Sequence, residues 1–144
     1  MASPANVPTG APSLPLILAR ELASNLATAM FLIDARGMLV FYNEAAELII
    51  GKPFAEVGEI DALEWGAMLH LSEPDGSPLL RRHSPAGIAF FERRPSHQVL
   101  RARDSDGRDR VVEATAYPLF GSVDDLHGVV AVFWEDAAPT PDAE

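Results

Sequence analysis

Apolar residues along this chain change their period several times, and each change marks an element. Leu14, Leu18, Leu22 and Leu26 recur every four residues with Ile17 and Ala19 beside them. That spacing predicts an amphipathic helix beginning near Ser13-Leu-Pro, where proline suits a first helical turn. Two short β-rich runs follow at 29–34 and 38–42, joined by Asp34 to Gly37, a loop length that makes a hairpin when glycine takes a positive φ. Asn43 ends the second run, and its side chain can accept a bond from an orphan amide of the next turn, so a capped helix is expected over 44–50. Glu44 suits the positive end of that helix, and Gly51 falls where a left-handed residue would stop it.

Residues 53–72 are mixed. Gly58 and Gly66 interrupt them, while Trp65, Met68 and Leu69 are spaced to line one side of short helical turns. Pro74 to Pro78 is a turn cluster, and Ser84-Pro85 opens a helix that must stop before Pro95. Two antiparallel strands, Val99 to Arg103 and Arg108 to Leu119, are expected around Asp104 to Gly107, with a last strand from Gly128 to Trp134. On the middle strand Val112, Ala114 and Ala116 share one face while Glu113, Thr115 and Tyr117 share the other. The last strand is apolar on both faces, so both must be covered. The leucine helix is the nearest cover for the outer face, from its own subunit or from a neighbour.

Residues 1–13 carry Pro4, Pro8, Pro12 and Gly10 and read as a disordered tail, as do residues 137–144 with Pro139 and Pro141. Between them, 14–136 is one domain, because 144 residues supply one core and not two. A hydrophobic fraction of 48% and a charged fraction of 22% exclude wholesale disorder. Cysteine is absent, which removes disulfides, thiolate metal sites and a thiol nucleophile. His70, His83, His97 and His127 show no paired spacing for a metal. The apolar run from Leu14 to Ala19 is too short to span a bilayer and lacks the basic flank of a signal peptide, so a cytoplasmic protein is expected. A net charge of −10 disfavours nucleic acid and anionic membranes as partners. The charge is uneven: 81–110 holds eight of the eleven basic residues against four acidic ones, a local +4 beside −14 elsewhere. Such asymmetry orients a docking partner, or simply reflects solvated strand and turn positions.

The order of elements, with an Asp before the first turn and Asn43-Glu-Ala-Ala-Glu opening the helix, resembles the start of a PAS sensor domain. Gly51-Lys-Pro-Phe-Ala-Glu-Val, Ser72-Glu-Pro-Asp-Gly-Ser-Pro-Leu, the helix near 85–93 and the terminal strands match in order, so the resemblance covers roughly residues 17–136. It implies an α+β fold: a five-stranded antiparallel sheet of order 2-1-5-4-3, short helices on one face and an N-terminal amphipathic helix. It also implies a sensory or interaction module rather than an enzyme. Where many PAS domains join their output module through an Asp-Ile-Thr-like junction, this chain has Trp134-Glu-Asp-Ala, so output by noncovalent association is expected.

An apolar cavity is then expected between helices and sheet. Its proposed walls are Phe31, Ile33, Phe41, Ala46, Ile49, Phe54, Trp65, Met68, Ile88, Phe91, Leu100, Val112, Ala114 and Val132. Small residues such as Ala46, Ala102, Ala114 and Ala116 leave room for a pocket or allow close packing. Leu14, Leu18, Leu22, Leu26 and Phe133 are the expected contacts of a homodimer or a signalling partner, with intramolecular packing as the other reading. Within the resemblance, cysteine-linked chromophores are excluded, and haem is disfavoured because the late helix holds no histidine, His83 preceding it and His97 following it. Noncovalent flavin or a small apolar or aromatic metabolite stays open, as does a ligand-free docking scaffold. A small isomerase- or hydrolase-like enzyme would need Glu113 or Asp34 to point inward with a raised pKa, and strand parity places Glu113 opposite Val112 and Ala114.

Overall fold

The computed structural model describes residues 13–121 and 125–135. The two expected tails therefore lie outside the described residues, apart from Ser13. The elements follow as α1 (Leu14–Ser24), β1 (Ala29–Asp34), β2 (Met38–Tyr42), α2 (Glu44–Ile50), α3 (Phe54–Val57), β3 (Ile60–Asp61), α4 (Ala62–Met68), α5 (Pro85–Phe91), β4 (Ser96–Arg103), β5 (Asp109–Phe120) and β6 (Leu126–Glu135). A short 3-10 turn, Arg81–His83, leads into α5.

All neighbouring strands pair antiparallel in the order β3-β2-β1-β6-β5-β4. Leaving aside the two-residue β3, the five long strands lie in the expected 2-1-5-4-3 order. No described helix is long and apolar enough to cross a membrane.

The two long hairpins use one turn design twice. In Asp34 to Gly37, the Asp34 Oδ1 accepts from the amides of Arg36 and Met38 at 2.9 and 3.0 Å. In Asp104 to Gly107, the Asp104 Oδ1 accepts from Asp106 and Arg108, both at 2.9 Å. In each, the other carboxylate oxygen holds an arginine, Arg36 or Arg110, at 2.7 and 2.8 Å. Such Asx geometry supplies internally the bonds that a tight turn would otherwise ask of water. The Arg110 guanidinium and then the Arg108 amide hold the Asp104 carboxyl below the usual carboxylate range.

Asn43 caps α2 as expected, accepting from Ala46 N at 3.1 Å, and Gly51 ends the helix at φ 87°. The same Asn43 does more than cap. Its Oδ1 also accepts from Met30 N at 3.0 Å, and its amide donates to Ala23 O and Thr28 O, each at 2.9 Å. One buried side chain thus ties the end of α1, the start of β1 and the start of α2.

Helix α1 does cover the outer face of the sheet within its own chain, but by a different stripe from the one its leucines suggest. Leu16, Ala19 and Ala23 pack on Met30, Leu32 and Val130, while Leu14, Leu18 and Leu22 are more than half exposed. Alanines at the contact let the helix axis approach the strands. Gly128 lies under Leu16, where an added Cβ would come within 2.9 Å of the leucine side chain.

The Tyr42 hydroxyl donates to Lys52 O at 2.6 Å. Burial, and then the carboxylates of Glu47 and Glu56, push its phenol up to about 12 from the ordinary value near 10. Because the folded value lies above the unfolded one, the stability linked to this group is complete below about pH 10 and is lost as pH rises towards 12. Alkaline titration of phenolate absorbance is expected to show one of the two tyrosines ionising late. Tyr42→Phe should remove that step; a late step that persists would exclude Tyr42 as its source.

Candidate functional site

A cavity of about 320 Å3 lies between the sheet and helices α2, α4 and α5. Its floor is Leu100 and Ala102 of β4, Val112 and Ala114 of β5, and Ala131 and Phe133 of β6. The alanines are why space remains there: each withholds the atoms that a valine or leucine would place above the sheet. Trp65 of α4 forms the opposite wall. Its ring meets Phe31 edge-on at 5.0 Å and stacks on Tyr42 at 5.7 Å, which fixes its orientation.

The rim is polar. Arg36 binds Asp34, Arg103 binds Asp109 at 3.2 Å, and Arg110 bridges Asp104 and Glu135, both at 2.8 Å. The Asp61 Oδ1 caps α4 by accepting from Leu63 and Glu64. Arg81 also lines the cavity.

Of the walls expected from sequence, Phe31, Ile33, Ile49, Trp65, Phe91, Leu100, Val112 and Ala114 line this cavity. The other six do not. Ala46 is fully buried in the adjoining core, and Phe54 packs edge-on against Tyr42 and Phe41. Met68 is 54% exposed and Ile88 is half-buried outside the lining.

Phe41 and Val132 are on the opposite side of the sheet, packed in the α1 layer. For Phe41 the cause is a bulge. Leu32 pairs with Phe41 but Ile33 pairs with Leu39, so β2 carries one extra residue. Alternation therefore breaks. Leu39 and Tyr42 face the cavity helices, while Val40 and Phe41 both face α1, where the Arg20 guanidinium sits 4.5 Å above the Phe41 ring. On β6 the structure reverses the expected faces: Phe133 lines the cavity and Val132 packs towards α1. Both faces of that strand are apolar, so its composition carried no parity signal. Its pairing did: Ala114 of the cavity face stands opposite Phe133.

Leu14, Leu18, Leu22 and Leu26 are exposed by 65, 59, 56 and 36%. Trp134 and Tyr117 are also exposed, by 40 and 38%, and Trp134 stands beside His97 and opposite Glu113.

The carboxylates that an enzymatic reading needs are placed elsewhere. Glu113 lies on the outer face, 3.3 Å from His97. The Asp34 carboxylate is occupied by two amides and a guanidinium. No group of three or more His, Asp or Glu that could hold a metal occurs among the described residues.

No protein-family model matches the sequence, and no curated protein matches it. Solved structures do match the fold. The PAS domain of a protein from Colwellia psychrerythraea is 16% identical with a TM-score of 0.61, the match covering 84% of this chain and 96% of that one. The PAS domain of nitrogen regulation protein NR(II) from Vibrio parahaemolyticus is 17% identical with a TM-score of 0.58, covering 86% and 99%. The Rhodobacter sphaeroides LOV protein is 14% identical with a TM-score of 0.68, covering 89% and 70%. This chain therefore has the PAS fold.

Proposed function

We propose that this chain is a cytoplasmic PAS-type sensory module that binds a small apolar or aromatic ligand in the cavity above β4, β5 and β6. The observation that carries this reading is the cavity itself. At about 320 Å3 it falls at the lower end of the roughly 300–1,000 Å3 range of small-molecule sites, and its walls are almost wholly apolar. A compact ligand fits that description better than a large cofactor does. Signalling is noncovalent: a ligand repacks α2, α4 and α5 against the sheet, and the sheet passes the change to α1 through Leu16 and Ala23.

The exposed stripe of Leu14, Leu18 and Leu22 supports a second copy, or a signalling partner, docking on α1. A ligand-free docking scaffold is the rival account, and one experiment separates them. Native mass spectrometry of freshly purified protein, with an absorption spectrum, reports added mass and subunit number together. Bound mass, or uptake of an aromatic probe, is expected in the native chain and much reduced in Ala114→Leu, whose added carbons intrude on the floor of the cavity. That variant should keep its fold and gain up to about 1 kcal/mol from the filled void. If the native chain and Ala114→Leu behave alike, neither taking up ligand, the docking scaffold is the better account. A monomer at all concentrations would remove the homodimer.

A further inference from the structure

We propose that the ligand of this cavity carries a carboxylate, and that Arg81 is its anchor. The inference rests on the ligand-binding reading above and adds the chemical class.

Four arginines and two aspartates line the cavity. Three of the arginines are committed. Arg36 is bound by Asp34, Arg103 by Asp109, and Arg110 by Asp104 and Glu135. Among the described residues Arg81 is the lining cation whose side chain has no acidic partner. Of the aspartates, Asp61 caps α4 and Asp104 holds its own turn and Arg110. Within the arginine-rich stretch singled out by its charge, Arg94, Arg103 and Arg110 meet carboxylates, while Arg82 keeps its charge and stacks on Phe91. What it leaves at the cavity is one uncompensated guanidinium.

Arg81 is held firmly at its base. Its carbonyl accepts from the Ser84 hydroxyl at 2.7 Å, and Ser84 in turn caps α5 by accepting from Gly87 N at 3.0 Å. Its aliphatic stem runs past Gly66 of α4, with Cδ in ordinary van der Waals contact range at 3.7 Å from a Cβ built there. The stem therefore spans from the turn before α5 across to the wall that carries Trp65. An apolar hollow with one exposed, unpaired arginine at its lining suits an apolar body whose single anionic group sits at the solvent edge. A carboxylate matches one guanidinium as a two-bond pair, whereas a phosphate would leave most of its charge unmet by a lone arginine.

The test is isothermal titration calorimetry of the full chain with matched pairs, naphthylacetate with naphthylacetamide and decanoate with decanamide. The native chain is expected to bind at least one acid roughly tenfold more tightly than its amide. In Arg81→Gln that preference should vanish through weaker acid binding, with amide affinity and thermal midpoint unchanged, because the guanidinium holds nothing in the free protein. Amides that bind as tightly as acids, or a preference that survives in Arg81→Gln, would overturn the carboxylate anchor while leaving the cavity reading standing. Failure of both acids and both amides to bind the native chain would overturn the two together.

Discussion

An Asn43→Ala variant is expected to lose about 3–4 kcal/mol of unfolding free energy, a large fraction of the roughly 5–15 kcal/mol by which domains stay folded. Asn43 is 2% exposed and makes four hydrogen bonds, to Met30 N, Ala46 N, Ala23 O and Thr28 O. Alanine leaves two buried donors, one buried acceptor and the part-buried Thr28 carbonyl without that partner, and each orphan costs about 1–3 kcal/mol when water cannot replace it. Loss of an ordinary N-cap costs only about 1 kcal/mol. Chemical denaturation therefore separates the roles: a loss near 1 kcal/mol would mean a cap and nothing more. Asn43→Asp refines the test. It keeps both accepting bonds but sets a carboxylate oxygen against two carbonyls, so its folded pKa must rise above the usual value near 4. A raised carboxyl pKa means that the folded form takes up protons more readily, and the variant's deficit should shrink as pH falls.

A Gly87→Ala variant is expected to be destabilised by about 2–4 kcal/mol, against the sign that helix propensity assigns. In an exposed helix this change gains up to about 1 kcal/mol. Here a Cβ would stand 2.2 Å from Arg81 O and 2.8 Å from Arg82 Cα. Both are backbone atoms, so no side-chain rotation relieves the overlap; the 3-10 turn must move off α5. That movement carries Arg81 with it, so acid binding should weaken along with stability. Thermal denaturation decides the first point, and an unchanged or higher midpoint would show that the turn gives way at little cost.

The parts of this protein legible along the chain are those governed by neighbours within a few residues. The Asp-x-x-Gly turns, the Asn43 cap and the Gly51 stop depend on local φ and on side chains reaching their own backbone, and they stand where the pattern put them. Order of elements sufficed for the sheet. Five of the eight cavity walls placed by pattern come from strands in which alternation holds, such as Phe31 with Ile33 and Val112 with Ala114.

The remainder depended on partners distant in sequence. The bulge opposite Leu32 and Ile33 turned Phe41 outward, and the pairing of β6 with β5 turned Phe133 inward; no residue in either strand announces its register. Likewise α1 buries Leu16 and two alanines because Gly128 and the strands beneath admit close approach, leaving the stronger leucine stripe uncovered. Charge behaves in the same way. Eight arginines in one stretch look alike in a linear reading, and only folding decides that Arg94, Arg103 and Arg110 meet carboxylates while Arg81 comes to line the cavity. Local geometry is written in short-range sterics and hydrogen bonds, whereas face, register and residual charge arise when separate segments compete for the same surface.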